Sequence, residues 1–399
     1  MTTLTTYDIA IIGGGPAGCA CALALHGSGL RVAILEKDAF PRDKICGDAI
    51  PSPAFRVMDR LSPAWGQAMR QWSADAQIKS ARMFVPGRRS LGVRWVNYSY
   101  NAARLDFDQC LLELVRAETQ TIILENKQLQ TISREEQGLQ CRFKDGSVLS
   151  AALVIGCDGA YSTVSRQLGG VDLDDRNNCV AVRAYYRGVQ GMAPGENELH
   201  FLPRLLPGYL WIFPLADGLA NVGFGMLKKA AVRKKIKLRT VLDQLPEYAP
   251  ELAARLQGAE RLGSVQGFAL PLHTGRAALS GPRYLLCGDA AALVDPLEGH
   301  GIDHAMTSGV LAAQQARQCF RDNDFSANKL QAYDLAIRRG IGVELSRNAL
   351  VLRIVTRFPF LMHGVGWLGY FEKTVNWLIR TFKLSPVKSK MVISKMSLP

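Results

Sequence analysis

The chain opens on an apolar run, Tyr7-Asp8-Ile9-Ala10-Ile11-Ile12, with no polar position after Asp8. Such a run, bounded by glycine, predicts a buried parallel strand rather than a half-exposed one. It leads into Gly13-Gly14-Gly15-Pro16-Ala17-Gly18; residues 16–28 then read as a small-residue helix and Arg31–Leu35 as the next strand, ending in Glu36. Val154-Ile155-Gly156 is a further apolar strand and runs into Cys157-Asp158-Gly159. Tyr284–Cys287 is another; it passes Gly288-Asp289-Ala290-Ala291, then Val294-Asp295-Pro296-Leu297, and reaches Gly299-His300-Gly301 and a helix from Ile302.

Between 179 and 226 the pattern changes. Ala181–Arg187, Glu198–Leu202, Tyr209–Pro214 and Asn221–Met226 carry aromatic and β-branched residues with turn residues between them, which predicts an antiparallel sheet. Alternation puts Tyr209, Trp211 and Phe213 on one face. That face suits the wall of an apolar substrate tunnel, although ordinary sheet–helix core accounts for any single one of these aromatics equally well. From Lys329 a helical period returns over Leu330–Ile341, Glu344–Thr356 and Trp367–Phe382. In the last of these, Trp367, Phe371, Val375, Leu378 and Phe382 share a face opposite Lys373, Arg380 and Lys383.

The first strand–glycine–helix–strand–acid unit has a physical logic. Gly13 permits a tight turn, Gly15 lets the backbone approach a pyrophosphate, and Gly18 lets helix and sheet pack closely. The helix N-terminus offers unpaired N–H groups to phosphate, with Ala17 in its first turn. Glu36, followed by Lys37, can accept hydrogen bonds from an adenosine ribose. Gly364-Val365-Gly366-Trp367-Leu368-Gly369 also fits G-x-G-x-x-G, but it follows no convincing strand and reads as a packing or turn segment.

Composition narrows the picture. The 399 residues are 48% hydrophobic and 21% charged, a globular balance with material for a large core. Nine cysteines are scattered without a Cys-x-x-Cys pair, which reads as reduced cytosolic thiols and supplies no metal site. No signal-peptide core and no run of about 20 apolar residues appears. The expectation is a cytoplasmic protein, with peripheral attachment at the inner face of a membrane left open. A net charge of +13 favours anionic partners, either an anionic membrane surface or an acidic carrier protein. Nucleic acid is excluded as a partner, since no zinc-finger, RNA-binding or helix-turn-helix pattern is present.

Together the three glycine-acid segments resemble the signature of the para-hydroxybenzoate-hydroxylase-type FAD superfamily. Within it the chain resembles the geranylgeranyl reductase family. Lys44-Ile45-Cys46-Gly47 is similar to that family's K-x-C-G motif, and Arg104-Leu105-Asp106-Phe107-Asp108 to its R-x-x-F-D segment. Tyr209-Leu210-Trp211-Ile212-Phe213-Pro214, followed by Gly223-Phe224-Gly225, is similar to its Y-x-W-x-F-P…G-x-G motif. The chain departs from the family at Asp48, where glycine is common, and at His300, where an acidic residue is common.

The resemblance implies an α/β fold: a Rossmann-like FAD-binding domain with an inserted antiparallel-sheet substrate domain of α+β type and C-terminal helices. The FAD-binding domain is expected over 1–73, 102–170 and 271–345, the substrate domain over 74–101 and 171–270, and a helical region over 346–399. It also implies FAD contacts from Gly13, Gly15, Ala17, Gly18, Glu36, Lys37, Lys44, Cys46, Gly47, Arg104, Asp158, Gly159, Asp289, Pro296, Gly299, Gly301 and Ile302. Asp289 is expected at the ribityl hydroxyls and Arg104 near the pyrophosphate or adenine. The helix beginning near Gly301 is expected to aim its positive end at the flavin N1–C2=O edge.

The leading functional expectation is an FAD-dependent reductase that saturates carbon–carbon double bonds of an isoprenoid or similar apolar chain. NAD(P)H or a reduced carrier protein is the expected electron donor. Cys46, Tyr209 and His300 are the candidate catalytic groups; Tyr209, Trp211 and Phe213 are the candidate substrate contacts. The alternative is a monooxygenase working through a flavin C4a-hydroperoxide, as hydroxylase before halogenase. The halogenase W-x-W-x-I-P motif is imperfect here, with Tyr209 and Phe213 in place of its first tryptophan and its isoleucine. A flavin-binding interaction module ranks last, because nothing appended to the fold reads as an output domain.

Overall fold

The computed structural model describes residues 5–86, 89–169, 178–275, 278–358 and 389–392. The glycine segment at 364–369 and the amphipathic stretch at 367–382 lie outside the described residues.

The first of two sheets has a parallel core in the order Tyr284–Leu286, Val148–Gly156, Thr5–Ile12, Val32–Leu35, Ile122–Leu124. Ile9–Ile12 and all of Val32–Leu35 are buried, as strands covered on both faces require. Val148–Gly156 serves two partners on one edge. Its first half takes the antiparallel strand Gly138–Phe143, and its end pairs in parallel with Tyr284–Leu286.

Helix Pro16–Ala24 packs on the long helix Ile302–Asp322. A Cβ on Gly18 would lie 2.0 Å from the Gly13 carbonyl oxygen, and one on Gly309 2.2 Å from that of Ala17. Only glycine allows these backbones to meet. The first helix is shorter than its small-residue pattern predicts. It stops at Ala24, before Gly27 and Gly29, which both hold positive φ and turn the chain back to the sheet.

The second sheet runs in the order Glu260–Leu270, Cys179–Arg187, Leu219–Leu227, Tyr209–Pro214, Glu196–His200, Gln77–Val85, Arg89–Asn101, Ser389–Val392, with Ala49–Ile50 added to Arg89–Asn101. The four predicted strands are present, but the sheet is not wholly antiparallel: Glu196–His200 runs parallel to Gln77–Val85. Between these two strands the chain passes back through the first sheet, so no hairpin forces an antiparallel pair.

Val241, Leu242, Leu245 and Leu252 cover one face, against Val182, Leu210, Ile212 and Phe224. The opposite face carries Tyr209, Trp211, Phe213, Asn221, Arg183 and Tyr185, and it meets the loops around 42–48 and 295–300. The nine cysteines are free thiols. No described helix is long and apolar enough to cross a membrane.

Candidate active site

The glycine turn is built as its spacing requires. Gly13 sits at φ +106°, and a Cβ there would come within 2.4 Å of the Cys157 carbonyl oxygen. Gly15 caps helix Pro16–Ala24 without a side-chain hydrogen bond, so the first-turn N–H groups stay available. Glu36 is buried; its Oε2 accepts the Gly14 N–H at 2.8 Å and its Oε1 the Asp38 N–H at 3.2 Å. Ala17 is buried at the helix contact, whereas Lys37 points outward beside Asp38.

Three cations converge on this turn. The Arg42 guanidinium donates to Asp108 Oδ2 at 2.9 Å, lies 3.7 Å from Glu36 Oε1, and reaches within 3.6 Å of where a Cβ on Gly15 would stand. Arg104 is buried and makes a fork with Asp108, two bonds of 2.7 Å, while also bonding the Cys46 side chain. Lys44 Nζ meets Asp289 Oδ2 at 3.0 Å. Burial opposes charge on Asp108, but Arg104, Arg42 and Lys44 outweigh it and hold the carboxyl below its usual range. The Nε and Nη2 donors of Arg104 are thus engaged by Asp108, and Arg42, which sequence reasoning missed, faces the turn.

Asp158 is a helix cap. Its Oδ1 accepts the Ser162 hydroxyl, and its Oδ2 accepts the Thr163 and Val164 N–H groups at the start of helix Thr163–Leu168. Gly159 beside it holds φ +78°. These residues shape the wall, and the carboxylate is used locally.

The loop before the long helix is tied by Asp295, also unforeseen. Its Oδ1 accepts the Leu297 and Glu298 N–H groups and its Oδ2 the Asn348 amide at 2.6 Å, which bends Pro296–Gly299 into place. Gly301 caps Ile302–Asp322 without a side-chain bond, 3.9 Å by its would-be Cβ from Asp289 Oδ1. His300 Nδ1 lies 2.9 Å from Asp303 Oδ1, and its ring is tilted against that of His304 with centroids 4.9 Å apart. Burial works against a charge on His300, yet Asp303, Glu298 and Asp295 raise its pKa to about 10.

The aromatic residues form a wall. Tyr209, Trp211 and Phe213 follow one another at centroid spacings of 6.1 and 6.2 Å. The Trp211 indole lies against Gly223, where a Cβ would come within 2.1 Å of its ring, so only glycine fits at that position of the strand alongside. Gly47 faces the other side, its would-be Cβ 3.4 Å from Phe213 and 3.7 Å from Trp211. The Tyr209 hydroxyl donates to the Glu298 carbonyl at 2.9 Å, and burial pushes its pKa up.

Asn221 joins this wall to the cofactor-side loop. Its Oδ1 accepts the Trp211 indole N–H at 2.8 Å, while its Nδ2 donates to the Cys46 carbonyl and to Asp48 Oδ2, each at 2.8 Å. The Tyr185 hydroxyl also donates to Asp48 Oδ2, at 2.7 Å. Burial raises the Asp48 carboxyl to about 6 in spite of these two donors and the charges of Arg183 and Arg104.

The structure therefore joins the K-x-C-G loop, the aromatic strand and the loop before Ile302 around one region, with the glycine turn at its end. A turn with free N–H groups flanked by Arg42 and Lys44, and an acid beside a second uncapped helix N-terminus, fits a diphosphate-bearing dinucleotide. Residues 6–316 match the family model described as an FAD binding domain. The chain belongs to this FAD-binding family.

Its relatives are reductases. A menaquinone reductase of Mycolicibacterium smegmatis is 30% identical over 78% of this chain and 76% of its own length. A digeranylgeranylglycerophospholipid reductase of Methanocella arvoryzae is 28% identical over 94% of this chain and 95% of its own length. Among solved structures, a geranylgeranyl bacteriochlorophyll reductase-like protein of Thermoplasma acidophilum aligns with TM-score 0.76 and 23% identity, covering 88% of this chain and 87% of that one. A flavin-dependent brominase aligns with TM-score 0.77 and 21% identity, covering 95% and 93%; at that identity the likeness is one of fold. This chain is an FAD-dependent oxidoreductase of the geranylgeranyl reductase family.

Proposed function

We propose that the enzyme saturates carbon–carbon double bonds of an isoprenoid chain, with Tyr209, Trp211 and Phe213 holding the chain beside the flavin. The observation that carries this reading is the aromatic wall itself, set against Gly47 on the loop that faces the cofactor. An apolar tail lies on such a wall without leaving a polar group unsatisfied. The names of the reductase relatives point to the same substrate class.

When bound and reduced, FAD supplies the two electrons. Gly15 and the first-turn N–H groups of Pro16–Ala24 receive the pyrophosphate, with Arg42 and Lys44 adding positive charge. Arg104 acts through Asp108, which holds Arg42 in place. Glu36 would hold the ribose and Asp289 the ribityl hydroxyls. The N-terminus of Ile302–Asp322 and the positively charged His300 ring would favour negative charge at the flavin edge. Cys46 lines the reacting side, and Tyr209, anchored to the Glu298 carbonyl, fixes the loop against the sheet.

The electron donor is NAD(P)H or a reduced carrier protein. The substrate is membrane-dwelling, and exposed Lys229, Arg233, Lys234, Lys235, Lys237 and Arg239 form a basic surface suited to anionic headgroups.

Mass analysis of single turnovers tests the reaction. The reduced flavoprotein, given isoprenoid quinones and lipids without oxygen, is expected to yield products heavier by two hydrogens per double bond. Products that gain oxygen, and only when oxygen is present, would establish the monooxygenase instead.

A further inference from the structure

Helix Ile341–Arg357 turns an apolar stripe away from the protein. Val343 is 62% exposed, Leu350 57% and Ile354 44%. At 3.6 residues per turn these three fall within about 40° of one another. Leu345 and Asn348, on the opposite side, are buried. A helix of a soluble domain ordinarily points its apolar stripe at the core, so a stripe of this kind left in water marks a contact surface.

The charges beside the stripe narrow what it meets. Arg347 and Arg357 border it, one on each side, and Arg353 lies beyond Arg357. Arg353 and Arg357 are exposed, and neither forms an ion pair among the described residues. The one acid of the helix, Glu344, sits about 100° round from Val343 and is half-buried. Burial pushes its pKa up, against the charges of His304 and His300 on the inner side. An apolar stripe edged by arginines, with no acid on its face, is complementary to an anionic bilayer. The aliphatic groups enter the acyl boundary while the arginines reach back to phosphate. With 17 residues the helix lies along such a surface and does not cross it.

The inner side of the same helix is tied to the aromatic wall. Asn348 Nδ2 donates to Asp295 Oδ2 at 2.6 Å, and Asp295 Oδ1 accepts the Leu297 and Glu298 N–H groups. The Glu298 carbonyl in turn accepts the Tyr209 hydroxyl at 2.9 Å. A continuous set of hydrogen bonds thus runs from the helix to the first residue of the wall.

We propose that helix Ile341–Arg357 seats in an anionic bilayer by its Val343, Leu350 and Ile354 face and so brings the Tyr209 end of the wall to the lipid. Its purpose, delivery of an isoprenoid chain, rests on the reductase reading above; the seating itself does not. This contact is apolar, whereas that of the basic 228–239 segment is electrostatic. Salt should therefore weaken the second and spare the first.

The test compares the wild-type holoenzyme with Leu350→Glu/Ile354→Glu on vesicles of phosphatidylglycerol and phosphatidylcholine. Both side chains are exposed, so FAD content and melting temperature should stay at wild-type values. Co-sedimentation should fall by at least about tenfold, and the binding that wild type keeps at high salt should vanish. Turnover of an isoprenoid quinone embedded in the vesicles should fall by a similar factor, while turnover of the same quinone in detergent stays unchanged. A separate variant, Leu350→Trp, should show fluorescence quenching by brominated acyl chains beyond that of wild type.

Sedimentation of the double variant at the wild-type level overturns the proposal, as does a Leu350→Trp variant quenched no more than wild type. A wild-type dimer that the double substitution dissociates, with Leu350→Trp unquenched, gives the stripe to a second copy of the chain and overturns it too. Quenching without saturation of any isoprenoid overturns the reductase reading and leaves the seating in place. Saturation in detergent without quenching does the reverse.

Discussion

The two ends of the site are held together by different means. At the glycine turn most of the constraints are short in sequence: Gly18 against Gly13, Glu36 on the Gly14 N–H, Arg104 on Asp108 one helical turn away. At the junction between the 42–48 loop and the second sheet they are distant. Asn221 reaches Cys46 across 175 residues, Tyr185 reaches Asp48 across 137, and Lys44 reaches Asp289 across 245. The first end depends on which residues lack side chains, the second on which side chains satisfy one another. Mutations should therefore separate them, with backbone clashes disabling the turn and unsatisfied polar groups loosening the junction.

The largest effect is expected at the turn. Gly18→Val should cost more than about 3 kcal/mol and abolish FAD retention, because its Cβ meets backbone at 2.0 Å. Gly15→Leu should also lose FAD yet leave the melting temperature of the apoprotein nearly unchanged, since a Cβ there stands at ordinary contact distance, 3.6 Å from Arg42 Nη2. Flavin absorbance and thermal melts read both outcomes. Stoichiometric FAD in the Gly15 variant would show that the pyrophosphate lies elsewhere.

The junction should respond less. Trp211→Phe keeps an aromatic ring over Gly223 but strands Asn221 Oδ1, an expected loss of about 1–3 kcal/mol. FAD content should survive and turnover should drop by more than tenfold. Trp211→Ala should cost about 3–5 kcal/mol, as large aromatic deletions in cores do, with turnover falling further than FAD content. Parallel loss of FAD and turnover in both variants would mean that Trp211 is core and no wall.

His300 offers a smaller, pH-dependent effect. Its folded pKa is raised, so its pairing with Asp303 stabilises fully below the unfolded value near 6.5. That contribution disappears as pH rises through about 10. Asp303→Asn should flatten this part of the stability–pH curve, removing roughly 1.5–3 kcal/mol at neutral pH. Urea titrations at pH values on either side of the window measure it, and an unchanged slope would rule out the charged pair.

This contrast also explains what could be read from sequence. The glycine fingerprint, the strand alternation of Tyr209, Trp211 and Phe213, and the R-L-D-F-D segment are short-range patterns, and all were legible. Arg42 stood two residues before Lys44 and Asp108 closed its own motif, so both had a signal that went unused. Asn221 had none, because nothing in one strand announces a carbonyl 175 residues away. Arg104 was expected near the pyrophosphate or adenine, but its Nε and Nη2 are taken by Asp108, which spacing alone does not show. The parallel pairing of Glu196–His200 was likewise hidden, since it depends on where the chain goes between two distant strands.

The smallest effect on the folded enzyme is expected furthest from both ends, on the basic surface. Residues 228–239 carry seven basic and no acidic side chains, and Val232 is exposed among them at 70%. This segment continues directly from strand Leu219–Leu227, whose Gly225 pairs with Tyr209, so it leaves the sheet at the Tyr209 end of the aromatic wall. Arg233→Glu with Lys237→Glu should alter stability by no more than about 0.5 kcal/mol, because both side chains are exposed and neither forms an ion pair among the described residues. Binding to vesicles is another matter, since each basic residue near an anionic bilayer contributes about 1 kcal/mol and reversal adds repulsion. The double variant should lose at least about tenfold in co-sedimentation with phosphatidylglycerol vesicles at low salt, and wild-type binding should weaken as salt is raised. Turnover of a detergent-dispersed substrate should stay at the wild-type level. Equal sedimentation of variant and wild type would move the membrane contact away from this surface, and equal loss of turnover in detergent would place these residues in the enzyme's chemistry rather than at its approach to lipid.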